Sequence, residues 1–286
     1  MISGGDRPGT TVETQIVRYT GGEPARTFDR LATEEPLEIR MRAGSQMRTV
    51  AITMRTPGAD FELAAGFLYN EGVIGGIEAV SAITYCVDRD VAEEQRYNIV
   101  NVDLHGTVLP PLDALERHFT MTSACGVCGK ANIDALRARG LDAVRSSMQV
   151  DAATIAALPD RLGESQRVFA STGGLHAAAL FDARGALIAI REDVGRHNAL
   201  DKLIGWALME SKLPLDAHLL LVSGRASYEL LQKAITAGIA VVAAVSAPSS
   251  LAVDLAREFG VTLAGFVRAG RFNVYAGAKR IAFPER

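Results

Sequence analysis

Cysteine is rare in this chain, with three in 286 residues. Three thiols cannot build a disulfide framework, so the fold has to rest on a packed core, and a reducing cytoplasm is the expected location. Charge of one sign is not in excess either: 30 Lys and Arg against 33 Asp and Glu leave a net charge of −3. No global field draws in nucleic acid or a membrane surface, and any anionic ligand must be held by a local cluster. Long apolar runs are missing. The longest, Gly238 to Ala247, is about half of what a membrane-spanning helix needs. The first nine residues, Met1-Ile-Ser-Gly-Gly-Asp-Arg-Pro-Gly9, are polar and lack the apolar segment of a signal peptide. What is present, 48% hydrophobic and 22% charged residues, is the composition of an ordinary globular protein with one large or two smaller domains.

The apolar pattern predicts three parts. Residues 1–12 read as disordered, and Gly21-Gly-Glu-Pro24 reads as a turn. Alternation in Pro36–Met41 and Thr49–Met54 predicts strands. Asp60 stands where it would cap a helix over Phe61–Asn70, with Phe61, Ala64, Ala65 and Leu68 on one face. Ala82–Val87 and Tyr97–Leu104 read as further strands, so residues 13–111 form an N-terminal α+β domain that ends at Pro110-Pro111. Residues 112–165 read as a helical connector, with one helix at Asn132–Arg139 closed by Gly140 and another at Asp151–Leu158 stopped by Pro159. From 166 to 286 strands alternate with helices. Strands are expected at Val168–Thr172, Ala177–Asp182, Ala186–Arg191, His218–Ser223, Ala240–Val245 and Val261–Phe266. Helices are expected at Gly195–Ser211, Ala226–Ala237 and Ser249–Phe259. Continuous apolar strands such as Leu219–Val222 imply a sheet covered on both faces, hence a three-layer α/β/α domain.

Two of the three cysteines, Cys125 and Cys128, lie three apart in Thr122-Ser-Ala-Cys-Gly-Val-Cys-Gly-Lys130. Such a pair can hold a metal, exchange disulfides, carry sulfur as a persulfide, or simply be buried. Structural zinc wants four ligands, and no second pair occurs at the usual spacing. A zinc deaminase needs His-x-Glu before Pro-Cys-x-x-Cys; this chain has His176-Ala-Ala178 instead. Dithiol exchange normally places the pair between a strand and a helix, whereas here a polar stretch precedes it. For sulfur transfer, Gly126 and Gly129 free the backbone, and Lys130 with the following helix favours thiolate. Cys128 could then relay or release sulfur bound on Cys125. Cys86 ends a strand and reads as a buried small residue.

Three loops in the last part suit phosphate. Ser223-Gly224-Arg225-Ala226-Ser227 follows an apolar strand and precedes a helix, where glycine admits a phosphate and the helix start offers amide hydrogens. Ser246-Ala-Pro-Ser-Ser250 repeats the arrangement. Arg268 and Arg271 follow the strand ending at Phe266 and can form forked bonds to phosphate. Glu192, Asp193, Arg196, His197 and Asn198 form the densest polar cluster, readable as a helix cap with surface ion pairs or as part of a ligand edge. His176 reads as a core histidine, and Trp206 as core or subunit contact.

With these motifs in place, the chain resembles the formate dehydrogenase accessory sulfurtransferases, the FdhD family. The resemblance covers nearly the whole chain and runs through Ala65-Gly-Phe-Leu68 with Glu71-Gly72, Ser123–Gly129, Gly174–Phe181, Glu192–Lys202, Ser223–Ser227 and Gly265–Tyr275. It implies a larger domain similar to cytidine deaminase. It implies a carrier that takes sulfur from a cysteine desulfurase and delivers it to a molybdenum cofactor with two pterin guanine dinucleotides, for the formate dehydrogenase catalytic subunit. The persulfide falls on Cys125 with Cys128 as helper. The cofactor-contacting stretch falls on Phe266, Val267, Arg268, Ala269, Gly270 and Arg271, with Ser223, Gly224 and Arg225 beside it. A guanine nucleotide such as GDP would mimic the ligand. No resident metal, nucleic acid or membrane is implied, and a homodimer is expected. The alternatives are a cofactor-binding chaperone that moves no sulfur, or a dithiol or zinc-binding module.

Overall fold

The computed structural model describes residues 9–88, 90–111, 129–138, 140–268 and 270–285. Cys125, Cys128 and Ala269 lie outside them.

The chain opens with a hairpin of β1 (Thr11–Thr20) and β2 (Glu23–Ala32). Its two-residue turn has φ of 64° at Gly21 and 99° at Gly22, the left-handed geometry that matches strand twist and selects glycine. The turn was expected and the strands were not. Thr11 and Val12 lie in β1 rather than in a disordered tail, while residues 1–8 are outside the described set.

A four-stranded sheet follows, in the order β4-β3-β6-β5. Its strands are β3 (Glu35–Ala43), β4 (Gln46–Arg55), β5 (Val80–Tyr85) and β6 (Ile99–Leu104). Helix α1 (Asp60–Asn70) lies on it, packing Leu63, Ala64 and Leu68 on Leu37, Ile39, Met41, Val100 and Val102. Asp60 does not cap α1 as expected. The cap position is Ala59, and the Asp60 carboxylate instead receives Arg55 Nε and Nη2 at 3.1 Å and the Tyr85 hydroxyl at 3.1 Å. Arg55 is fully buried, and its charge takes that carboxylate.

The short helix α2 (Glu93–Arg96) precedes β6, and α3 (Gly129–Ala138) follows the undescribed stretch. Beyond β7 (Val150–Asp151), α4 (Ala152–Ser165) runs straight through Pro159, where a stop was expected. Its buried face of Ile155, Leu158 and Leu162 spans the proline and outweighs the lost backbone bond. Residues Arg167–Thr172 form helix α5 and not a strand. Glu192 decides this by accepting the Val168 and Phe169 amides at 3.2 and 2.9 Å, a cap that local sequence does not reveal.

The larger sheet has the order β13-β12-β11-β10-β8-β9. Strands β10 (Leu219–Val222), β11 (Val241–Ala244) and β12 (Thr262–Arg268) are parallel. Strands β8 (His176–Phe181) and β13 (Arg271–Ala276) are antiparallel to their neighbours, as is β9 (Leu187–Asp193) to β8. Helices α6 (Arg196–Met209), α7 (Tyr228–Thr236) and α8 (Ser250–Glu258) cover one face through Leu200, Leu203, Leu231 and Leu255. Helix α4 covers the other, against Ala179, Phe181, Leu221 and Ala243. The three-layer α/β/α arrangement is as expected, and β13 is an additional edge strand. The two-residue β14 (Ile281–Ala282) pairs with β7.

The two sheets meet where α1 crosses α6 at glycine on both sides. A Cβ on Gly66 would collide with the Asp201 carbonyl, and one on Gly205 with the Glu62 carbonyl. Among the described residues no helix is long and apolar enough to cross a membrane.

Candidate functional site: an anion edge at the strand ends

Parallel pairing sends β10, β11 and β12 out of the sheet at the same edge, the side on which open α/β sheets bind ligands. Antiparallel pairing brings the start of β8 and the end of β9 there too, with His176 opposite Asp193. The expected loops are stitched to one another. The Ser223 hydroxyl accepts the Ala177 amide at 2.9 Å. The Ser246 amide donates to the Gly224 carbonyl at 3.3 Å, the Ser249 amide to the Ala226 carbonyl at 2.9 Å, and the Phe266 amide to the Ser246 carbonyl at 3.1 Å. Ser223–Ser227, Ser246–Ser250 and Phe266 therefore form one continuous rim.

Phe266 sits at φ 53°, a left-handed conformation that costs a bulky residue on the order of 1–3 kcal/mol. A register shift between Gly265 and Arg268 accompanies it. The Arg268 guanidinium lies 5.9 Å from the Phe266 ring centre and stands opposite Arg271 across the β12–β13 pair. Both arginines are exposed. Val267 is fully buried in the core, so only its backbone can face a ligand. Gly270 has φ 72° with open space around it.

The polar cluster after β9 divides. Asp193 is fully buried. Its carboxylate receives Lys202 Nζ at 2.7 Å and the amides of Thr56 at 3.1 Å and Gly195 at 2.8 Å, with the Asn198 side-chain amide at 3.1 Å. Glu192 is engaged in capping α5. Neither carboxylate is free for a guanine. Arg196 and His197, at the start of α6, face the edge. Arg196 Nε is buried without a hydrogen-bond partner, an unusual state for a buried cationic group and one that a bound anion would relieve.

His176 is not the core histidine that was expected. It is half-buried at the edge, its ring 3.4 Å from where a Gly224 side chain would begin. Burial, then the charges of Arg196 and His197, lower its pKa, so it is neutral at pH 7. Sequence reasoning also missed Glu229, in the first turn of α7, with its Oε2 3.8 Å from His197 Nε2. The acidic residue two positions after Ser227 was the available signal. Cys86 is fully buried, as expected, and burial raises its thiol pKa. Trp206 packs on the core between Arg191 and Lys212, each 5.8 Å from its ring.

An edge with Arg196, Arg225, Arg268 and Arg271, and with the starts of α6, α7 and α8 turned toward it, suits a ligand bearing several negative charges, such as a nucleoside diphosphate. The fold and this edge define an α/β protein whose strand-end loops suit an anion. The chain belongs to the FdhD/NarQ family, whose model matches residues 32–282. It is 53% identical over 275 residues to the sulfur carrier protein FdhD of Streptomyces avermitilis, covering 95% of this chain and 96% of that protein. It is 52% identical over 255 residues to the protein of that name from Mycobacterium tuberculosis, covering 88% and 91%. A crystal structure of a putative formate dehydrogenase accessory protein from Desulfotalea psychrophila superposes with a TM-score of 0.73, covering 96% of this chain and all of that one, at 23% identity. That likeness supports the fold.

Proposed function

We propose that this protein is a cytoplasmic sulfur carrier acting as a sulfurtransferase for the molybdenum bis(pterin guanine dinucleotide) cofactor of formate dehydrogenase. The observation that carries the reading is about 50% identity over nearly the full chain to proteins named sulfur carriers. The strand-end edge supports it, because its arginines suit the diphosphates of such a ligand.

In this reading the Cys125 thiolate attacks the outer sulfur of a persulfide on a cysteine desulfurase. A new S–S bond forms on Cys125, the donor's S–S bond breaks, and the donor cysteine leaves as a thiolate. Cys128 assists release. Ser223, Gly224, Arg225 and the Phe266–Arg271 stretch hold the cofactor, Arg268 and Arg271 through their guanidinium groups and Val267 through its backbone. A formate dehydrogenase catalytic subunit receives the product, and the carrier works as a homodimer.

The test is intact-protein mass spectrometry after incubation with a cysteine desulfurase and cysteine. The wild type should gain the mass of one sulfur, removed by reductant, and Cys125→Ala should gain none. A wild type that gains nothing yet still supports formate dehydrogenase would replace the carrier by a chaperone that moves no sulfur.

A further inference from the structure

Guanine presents N1–H and a 2-amino group side by side, a donor pair that one carboxylate can accept. Three carboxylates stand at the strand-end edge. Asp193 is fully buried and taken up by Lys202, Thr56, Gly195 and Asn198. Glu192 caps α5. Glu229 differs from both. It lies two positions after the Ser223–Ser227 loop, its side chain is 59% exposed, and its Oε2 is 3.8 Å from His197 Nε2. Glu229 is ionised across the neutral range, its pKa pulled down to about 2 chiefly by His197.

We propose that Glu229 is the base-reading residue of this site: its carboxylate accepts the N1–H and 2-amino hydrogens of a guanine whose phosphates lie along the arginine edge. The inference rests on the cofactor reading above and adds to it the residue that sets base specificity. His197 is a positioning residue that holds the carboxylate toward the edge. Adenine offers no such donor pair, and hypoxanthine keeps N1–H but lacks the amino group.

The experiment is isothermal titration of GDP, IDP and ADP into wild type, Glu229→Ala, Glu229→Gln and the Arg268→Ala/Arg271→Ala double variant. Wild type should prefer GDP over ADP by about 100-fold and over IDP by about 10-fold, the range for one forked charged contact. Glu229→Ala and Glu229→Gln should bring GDP down to the ADP level and leave ADP within about threefold. The arginine double variant should weaken all three alike. If wild type binds none of the nucleotides, the cofactor reading fails and takes this inference with it. If wild type prefers GDP and both Glu229 variants prefer it equally, the site stands and Glu229 is not the reader. A melting profile recorded for each variant shows whether it is folded at the titration temperature, so that a lost preference can be told from a lost fold.

Discussion

Along helix α6 the polar side chains change character within two turns. From Asn198 to Lys202 every charge is buried and answered. Asp193 and Lys202 meet at 2.7 Å with side-chain exposures of 0% and 2%. Asp201 is held by Lys233 at 2.8 and 3.0 Å and by Asn70 at 2.6 Å. One turn earlier Arg196 leaves its Nε buried and unpartnered, and His197 reaches only to Glu229 at 3.8 Å. The first region ties α6 to β4, α1 and α7. The second faces the open strand ends. A closed polar network holds parts together, and an open one keeps its hydrogen-bonding capacity for a ligand. The same helix does both, so the closed half fixes the position of the open half.

The largest effects should come from breaking the closed half. Lys202→Met would leave Asp193 buried without its cation, and it should cost about 3–5 kcal/mol in urea unfolding. A loss below about 1 kcal/mol would show that water reaches the pair and that the seam is not closed. Next comes the α1–α6 crossing. Gly66→Ala would set a methyl group against the Asp201 carbonyl, backbone against which no side chain can yield. A loss of about 1–3 kcal/mol or more is expected, whereas Gly163→Ala, also inside a helix and with open space around its Cβ, should cost nothing. Equal outcomes at the two glycines would mean that the crossing yields to a methyl group and is not what selects Gly66.

The contrast between the halves also explains what could be read in the sequence. Strand β3 and helices α1, α7 and α8 were legible because each has a buried face with its own period, and β8 and β10 to β12 because they are near-continuous apolar runs. The hairpin of β1 and β2 was not, since most of its residues are exposed and no alternation marks it. Helix α5 depends on Glu192, more than twenty positions away in sequence, and α4 passes its proline because of packing that local rules do not include. Two loops of the edge, Ser223–Ser227 and Ser246–Ser250, were legible because strand, small residue and helix start are neighbours in the chain, and the third because two arginines follow a strand closely. His176 and Glu229 were not, because pairing across β8, β10 and α7 brings them to the edge. Asp193 looked like a ligand group for the same reason: its answering lysine is nine positions on, inside an apolar helix.

The smallest effect distinguishes the halves most sharply. Burial and the nearby charges of Arg196 and His197 hold the His176 pKa below the ordinary imidazole value. The unfolded chain therefore takes up the proton first. This contribution to stability is complete above about pH 6.5 and is lost as the pH falls from there through the folded-state value. His176→Asn removes that slope. The difference in Tm between pH 7.5 and pH 5.5 should shrink by about 1–2 °C relative to wild type. Because the edge is open, a bound anion must act on the same slope. Saturating pyrophosphate brings negative charge beside His176, raises its pKa and should flatten the wild-type profile toward that of the variant. A slope that persists unchanged under pyrophosphate would mean that His176 is shielded from the edge as fully as Asp193 is, and the open half would then begin only at Arg196.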